Sequence, residues 1–456
     1  MMNLYLFYWM LFGLASIYLA LGLWAARSVR TIQNYFLANR NLGVFQLTFA
    51  LIASQLGSGM ILGTAYRAYF TGFWGMFYTI GMSLGFIILG CGFASRLRAL
   101  NIATTAEIFE THYGSSRLKM IASVLSVISL LGILVAQIVA SRTLFVGLQI
   151  TDPYIFLASW IFVIAYAMLG GLHAIVIVDI AQVSFIIAIF VAACTWAIPV
   201  KIVKYLTPAK LTMIQHYFFG KSMTYTMFLP ILLIPTLFSL IEQDLAQKFF
   251  AAKTKATATI SAFLAALFLI LFSCIPIYFG LMAKIKHIRI PEGANPLVLA
   301  LAKLCPQWIF VLAICAIFAA IISTANSLLC AISSNIVQDF TSYLHFEHKK
   351  LWVTKVISCC VGIGALVASS FISGDIISIL EESYRLSVIC LFVPTFIAYI
   401  SKPTNSIPAW SSLLCGLAGY IAFHFSSLTT VSKDISALLL SLLGYASAYL
   451  LFGNKK

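Results

Sequence analysis

A lone carboxylate, a pair of adjacent hydroxyls and a charged triplet stand where an apolar chain would not ordinarily place them. Asp179 lies inside AYAMLGGLHAIVIVDIAQVSFIIAIF (165–190), a run long enough to enter a bilayer. A charge at mid-membrane costs roughly 2.5–3.5 kcal/mol even on the mildest scale, so it ordinarily faces a partner, an ion or a water-filled path. A neutralised or hydrogen-bonded core aspartate is the competing reading. Ser323 and Thr324 open a polar series, with Asn326, Ser327, Ser333, Ser334 and Asn335, in FAAIISTANSLLCAISSNIVQDF (318–340). Such residues commonly bond back to their own backbone or to a neighbouring helix. A hard monovalent cation, however, needs several oxygen ligands, and two hydroxyls plus unwound carbonyls supply them without a full charge. Glu381, Glu382 and Arg385 begin the apolar run SILEESYRLSVICLFVPTF (378–396). Either Glu382 and Arg385 pair at i,i+3, or Arg385 clamps the carboxylate of an anionic or zwitterionic solute.

Groups of this kind must be positioned by the helices that carry them. Transporters built from inverted repeats bind at the midplane, on helices interrupted at corresponding places in each half. Within LTFALIASQLGSGMILGTAYRAY (47–69), Gln55, Gly57, Ser58 and Gly59 cluster mid-run. Glycine costs about 1 kcal/mol relative to alanine inside a helix, so an unwinding is expected there. Within MFLPILLIPTLFSLIEQDLAQ (227–247), Pro230 and Pro235 each remove a backbone donor, which predicts a second break. Close packing through small residues and simple proline kinks are the alternatives. Span counting favours the breaks. Apolar runs predict about 13 transmembrane helices. If the first is accessory, five lie between about 44 and 198 and five between about 225 and 400, with a broken candidate opening each set. The expected fold is all-α and polytopic, a 5+5 inverted-repeat core with broken first and sixth core helices. It forms one membrane transport domain over 1–456: accessory helix and loop 1–43, first repeat 44–199, second repeat 225–400, and two peripheral helices over 401–456.

Composition sets the class independently. The chain is 62% hydrophobic and only 9% charged, whereas a soluble domain carries about 25% charged residues. No run alternates as an outer-membrane barrel strand would. The first run is too long for a removable signal peptide and lacks a small-residue cleavage site, and no soluble appendage is expected after the last span. The net charge of +15 is spread over short loops, where it anchors helices beside anionic headgroups rather than forming a nucleic-acid surface. The Lys and Arg bias predicts an outside N-terminus and a cytoplasmic C-terminus, with Lys248 and Lys253 among the cytoplasmic loop cations. Nine of the ten cysteines lie in apolar runs and act as small hydrophobes, and His345 and His348 read as solvated rather than metal-bound. No convergent nucleophile–base set suggests an enzyme.

The pattern Y-x-x-x-G-G-x-x-A-x-x-x-x-D-x-x-Q, here Tyr166, Gly170, Gly171, Ala174, Asp179 and Gln182, resembles the signature of the sodium:solute symporter family. TIQNYFLANRNLG (31–43), TTAEIFETHYG (104–114, His112 for the usual Arg) and EQDLAQKFFAAKT (242–254, Lys248 for Arg) resemble further segments of it, so the likeness runs over about 31–400. A-x-x-S-T, here Ala320, Ser323 and Thr324, is similar to the family's sodium motif. The resemblance implies a sodium site formed by the carbonyls of Ala53, Leu56 and Ala320 and the hydroxyls of Ser323 and Thr324, with Asp179 nearby. It also implies a substrate pocket between the first, third, sixth, eighth and tenth core helices. Candidates there are Gln55, Ser58 and Met60; Gln137 and Ser141, with Arg142 snorkelling outward; Pro235, Phe238 and Ser239; and Arg385. Pro235 and Phe238 depart from the family's sugar transporters. The function implied is a sodium-coupled secondary active symporter importing a small organic solute by alternating access. It would act as a monomer in the plasma (bacterial inner) membrane, with sodium as coupling ion and no other cofactor. A proton-coupled symporter, or a solute sensor signalling through a separate partner, are the alternatives.

Overall fold

Local signals start several of the helices. In the computed structural model, which describes residues 4–150, 152–198, 225–340, 351–372, 374–424 and 430–452, side chains of Thr31, Ser115, Asp152, Thr254, Asn295 and Asp375 accept the first free amides of the helices they precede. Pro153 and Pro296 follow two of these caps, where a missing N–H costs nothing. The elements are α1 (Leu4–Ala26), α2 (Ile32–Leu37), α3 (Val44–Gln55), α4 (Thr64–Thr71), α5 (Phe77–Ile88), α6 (Ala94–Ala99), α7 (Glu107–Tyr113), α8 (Ser116–Gly147), α9 (Pro153–Ala167) and α10 (Gly171–Ala197). After them come α11 (Tyr225–Ser239), α12 (Gln243–Phe250), α13 (Lys255–Ile285), α14 (Pro296–Leu304), α15 (Gln307–Asp339), α16 (Leu351–Ala368), α17 (Ile376–Ile400), α18 (Ile407–His424) and α19 (Thr430–Phe452). A single isolated bridge, Leu42 to Ala252, is the only β pairing among the described residues.

Among the described residues, ten helical stretches are long and apolar enough to cross a membrane, rather than thirteen, and three shorter apolar helices occupy the other expected places. The first difference has a plain cause: the break after Gln55 leaves α3 as a half-span of 12 residues. Helix α15 is buried along nearly its whole length and forms the axis of the molecule, whereas α1, α16 and α19 turn most of their surface outward.

Both expected breaks occur, one of them displaced. Helix α3 ends at Gln55 with Leu56 as its C-cap, and helical structure resumes at Ser58 with a wide turn over Gly59–Gly63 that leads into α4. The second break is not at the prolines. Pro230 and Pro235 lie inside α11, and the chain unwinds at Leu240–Glu242 before α12. A proline frees one carbonyl but leaves the turns after it intact. Here α11 is also held against α5: Thr236 Oγ1 donates to Gly81 O (2.8 Å) and Leu232 O (2.6 Å). A Cβ on Gly81 would meet Leu232 O at 2.4 Å and one on Gly85 would meet Ser239 Cβ at 2.5 Å, so the two backbones are in close contact.

One other expectation changes. Lys248, counted with the loop cations, is fully buried in α12. Arg142 is exposed, with its guanidinium over the Phe156 ring at 5.3 Å and within 3.5 Å of Ser369 O, so its head lies at the surface. His345, His348 and the lysines of 199–224 lie outside the described residues.

Candidate functional site

The break in α3 and the hydroxyl pair of α15 face each other. Thr324 Oγ1 lies 3.2 Å from the carbonyl oxygens of Ala53, Ser54 and Ala320. Ser323 Oγ lies 2.9 Å from Ala320 O and 3.4 Å from Ala53 O. Four of the five residues expected at a sodium site are thereby within hydrogen-bond range of one another. The fifth, Leu56, is fully buried at the adjoining C-cap. Ser54 O was not foreseen. The oxygen set is uncharged and hard, and each hydroxyl can turn its lone pairs from a carbonyl to a cation. Gly57 makes the approach possible, because a Cβ there would lie 2.8 Å from Thr324 Oγ1 and 3.1 Å from the Gln137 amide. Gln137 Oε1 in turn accepts from Ser58 N (2.9 Å), replacing a bond that the unwound helix has given up.

Asp179 is 1% exposed and its Oδ2 has no hydrogen-bond partner. Its neighbour Val178 belongs to one buried cluster with Tyr18, Tyr166 and Ala319 of α15. A second buried charge centre lies below α3. Lys248 Nζ pairs with Asp244 at 2.9 Å, donates to Ser327 Oγ at 3.1 Å and to Ser54 Oγ. Ser54 therefore joins two groups: its carbonyl contacts Thr324 and its hydroxyl contacts Lys248. Hydropathy hid this lysine at the polar end of an apolar run. The i,i+4 spacing of Asp244 and Lys248 was the available signal.

Between the two breaks lies a cavity of about 40 Å³. Of the candidates, Gln55, Met60, Gln137, Pro235, Phe238 and Ser239 line it. Three other candidates do not. Ser58 presents its amide to Gln137 and its side chain is not part of the wall. Ser141 Oγ accepts from Trp160 Nε1 at 2.8 Å and donates to Ile138 O, which is a helix-packing role. Arg385 is turned away from the cavity: it pairs with Glu382 and, at 3.1 Å, with Asp434 of α19. The carboxylate-clamp geometry is therefore absent.

The sequence reading missed what replaces it. Glu242, at the second break, lines the cavity with Tyr78 and Tyr384, and its Oε2 accepts from Gln55 Nε2 at 3.2 Å. Phe238 and Tyr384 stack with centroids 4.6 Å apart. No Lys, Arg or His is among the lining residues. No cluster of His, Cys, Asp or Glu able to hold a metal ion occurs among the described residues.

The fold has known counterparts. A solved Na+-coupled sialic acid symporter, in a substrate-bound outward-open state, superimposes with a TM-score of 0.82 at 19% identity over 98% of each chain. A nucleobase-cation-symport-1 family transporter does so at 0.59, with 15% identity, 93% of this chain and 96% of that one. These likenesses show the inverted-repeat membrane fold. In sequence, the high-affinity choline transporter 1 of Torpedo marmorata is 23% identical over 438 residues, 88% of this chain and 73% of that protein. The sodium/glucose cotransporter 1 of Oryctolagus cuniculus is 25% identical over 170 residues, 36% of this chain and 26% of that protein. The profile of the Sodium:solute symporter family matches residues 35–416, well over half of the sequence. The chain belongs to the sodium:solute symporter family.

Proposed function

We propose that this protein is a sodium-coupled secondary active symporter that imports a small organic cation by alternating access. The observation that carries the substrate class is Glu242: a buried carboxylate in the cavity wall, with aromatic rings beside it and no cationic side chain in the lining. A buried carboxylate that stays ionised needs a positive partner, and the cation nearest in the chain, Lys248, is engaged by Asp244. An ammonium group between Glu242 and the faces of Tyr78, Phe238 and Tyr384 satisfies both the charge and the rings, since quaternary ammonium ligands favour aromatic surroundings. The likeness to choline transporters supports the same class.

Sodium binds through Ala53, Leu56, Ala320, Ser323 and Thr324 in this reading, with Asp179 acting electrostatically beside it. The whole chain works as one transport domain in the cell membrane, N-terminus outside and C-terminus cytoplasmic, with 44–199 and 225–400 as the two repeats. Uptake into proteoliposomes under an imposed sodium gradient tests the proposal, using choline, its neutral isostere 3,3-dimethylbutanol and the corresponding carboxylate. Sodium-driven accumulation of the ammonium compound alone is expected. Accumulation of the neutral or acidic compound in preference, or indifference to sodium, overturns it.

A further inference from the structure

A second, larger cavity lies on the opposite face of α15. Its volume is about 450 Å³, within the range of small-ligand sites, and it opens between α1, α9, α10 and α15. Phe12, Ala15, Phe162, Phe318 and Ile322 supply an apolar wall, and Phe12, at 68% exposure, stands on the outer rim. No Asp, Glu, Lys, Arg or His lines it.

Among the polar side chains in the wall, two are buried without partners. Gln182 is 1% exposed, and neither its amide oxygen nor its amide nitrogen has a partner. Tyr18, 8% exposed, likewise has an unpartnered hydroxyl. Both side chains line the cavity. An amide unpartnered at membrane depth is costly, since lipid tails offer it nothing. Its partner must both donate and accept. An uncharged partner fits this wall, because no ionisable side chain lines the cavity.

We propose that this cavity binds a neutral, hydroxyl-headed membrane lipid, its head hydrogen-bonded to Gln182 and Tyr18 and its chain lying along Phe12 and Phe162. A phospholipid acyl chain could cover the same wall but would leave Gln182 unpartnered. The site stands apart from the transport reading. It lies behind the turn of α15 that carries Ala320 and Ser323, and its occupant would rest on Ala319 and Ile322.

The test uses the full chain in phosphatidylcholine nanodiscs and a diazirine-bearing sixteen-carbon alcohol as photoprobe, with labelled residues located by mass spectrometry. Labelling of α1, α9 and α15 wall residues is expected, displaced by excess unlabelled hexadecanol. Gln182→Leu should weaken it about five- to tenfold, the loss of roughly one hydrogen bond. Ala15→Trp keeps the amide but fills the space, and should abolish labelling while the protein elutes as a single species. Three results overturn the proposal: no label in the cavity, equal labelling in both variants, or equal labelling by a diazirine phosphatidylcholine, which would indicate bulk lipid only.

Discussion

Single side chains carry the ion and solute assignments, and each can be tested alone. Thr324 Oγ1 is the atom that meets most carbonyls at the break. Hydrogen bonds to charged groups contribute roughly 1.5–3 kcal/mol, and losing an oxygen ligand to a cation should cost a comparable amount. Thr324→Ala should therefore raise the sodium concentration for half-maximal uptake about tenfold or more, with solute affinity at saturating sodium little changed. Unaltered sodium activation in the Ser323→Ala, Thr324→Ala double variant would remove these hydroxyls from the ion path. Glu242→Gln keeps the side chain's shape and its contact with Gln55 but removes the charge, so ammonium uptake should fall by at least about tenfold while the protein remains folded. If Glu242→Gln carries ammonium solutes as the parent does, the carboxylate is structural. The hydroxyl pair and Asp179 were legible in the sequence because polar groups inside long apolar runs are conspicuous. Glu242 was not. It begins a short polar segment, Glu242 to Lys248, whose composition is that of a solvated helix end, and only the fold turns that segment inward.

At the scale of helices, the break in α3 was legible because glycine has one physical signature there: room for another group. A Cβ at Gly57 would press on both Thr324 and Gln137. Gly57→Ala should accordingly impair sodium activation as severely as Thr324→Ala, although it removes no ligand; normal sodium kinetics in it would mean that the α3–α15 approach is looser than the structure indicates. The second break was misplaced because proline announces a missing donor, not a helix end. Its true position depends on α5 holding α11 up to Ser239, a tertiary contact that the segment's own sequence does not encode. Lys248 in α12 then ties the lower half of this broken helix to α3 and α15. Removing one partner of a buried ion pair costs about 3–5 kcal/mol, whereas removing both is often tolerated. Lys248→Met should thus lower the melting temperature in detergent markedly, and adding Asp244→Asn should restore most of the loss. Failure of the second substitution to rescue would show that Lys248 contributes mainly through Ser54 and Ser327.

For the molecule as a whole, the proposed alternating access requires the small cavity between the two breaks to open to each side in turn. Lining residues should then change accessibility with ligand, whereas residues on the peripheral hairpin should not. Arg385, on α17 but turned toward that hairpin, should behave as the second group does. It ties α17 to Asp434 of α19, so Arg385→Gln should reduce thermal stability without changing which solutes are carried. Met60 belongs to the first, since it lines the cavity just past the α3 break and is 1% exposed. With room for about 40 Å³ of free space, the cavity admits no bulky reagent in this conformation, and any modification of that position requires a rearrangement of the surrounding helices. A Met60→Cys variant, in a background with the ten native cysteines replaced, is therefore expected to react slowly with an impermeant thiol reagent when sodium is absent. Sodium, by holding α3 against α15, should favour the outward-open arrangement and speed the reaction from outside. Added ammonium solute should protect the thiol by filling the space beside Glu242. A rate that responds to neither ligand would place Met60 off the pathway and would remove alternating access around this cavity as the mode of transport.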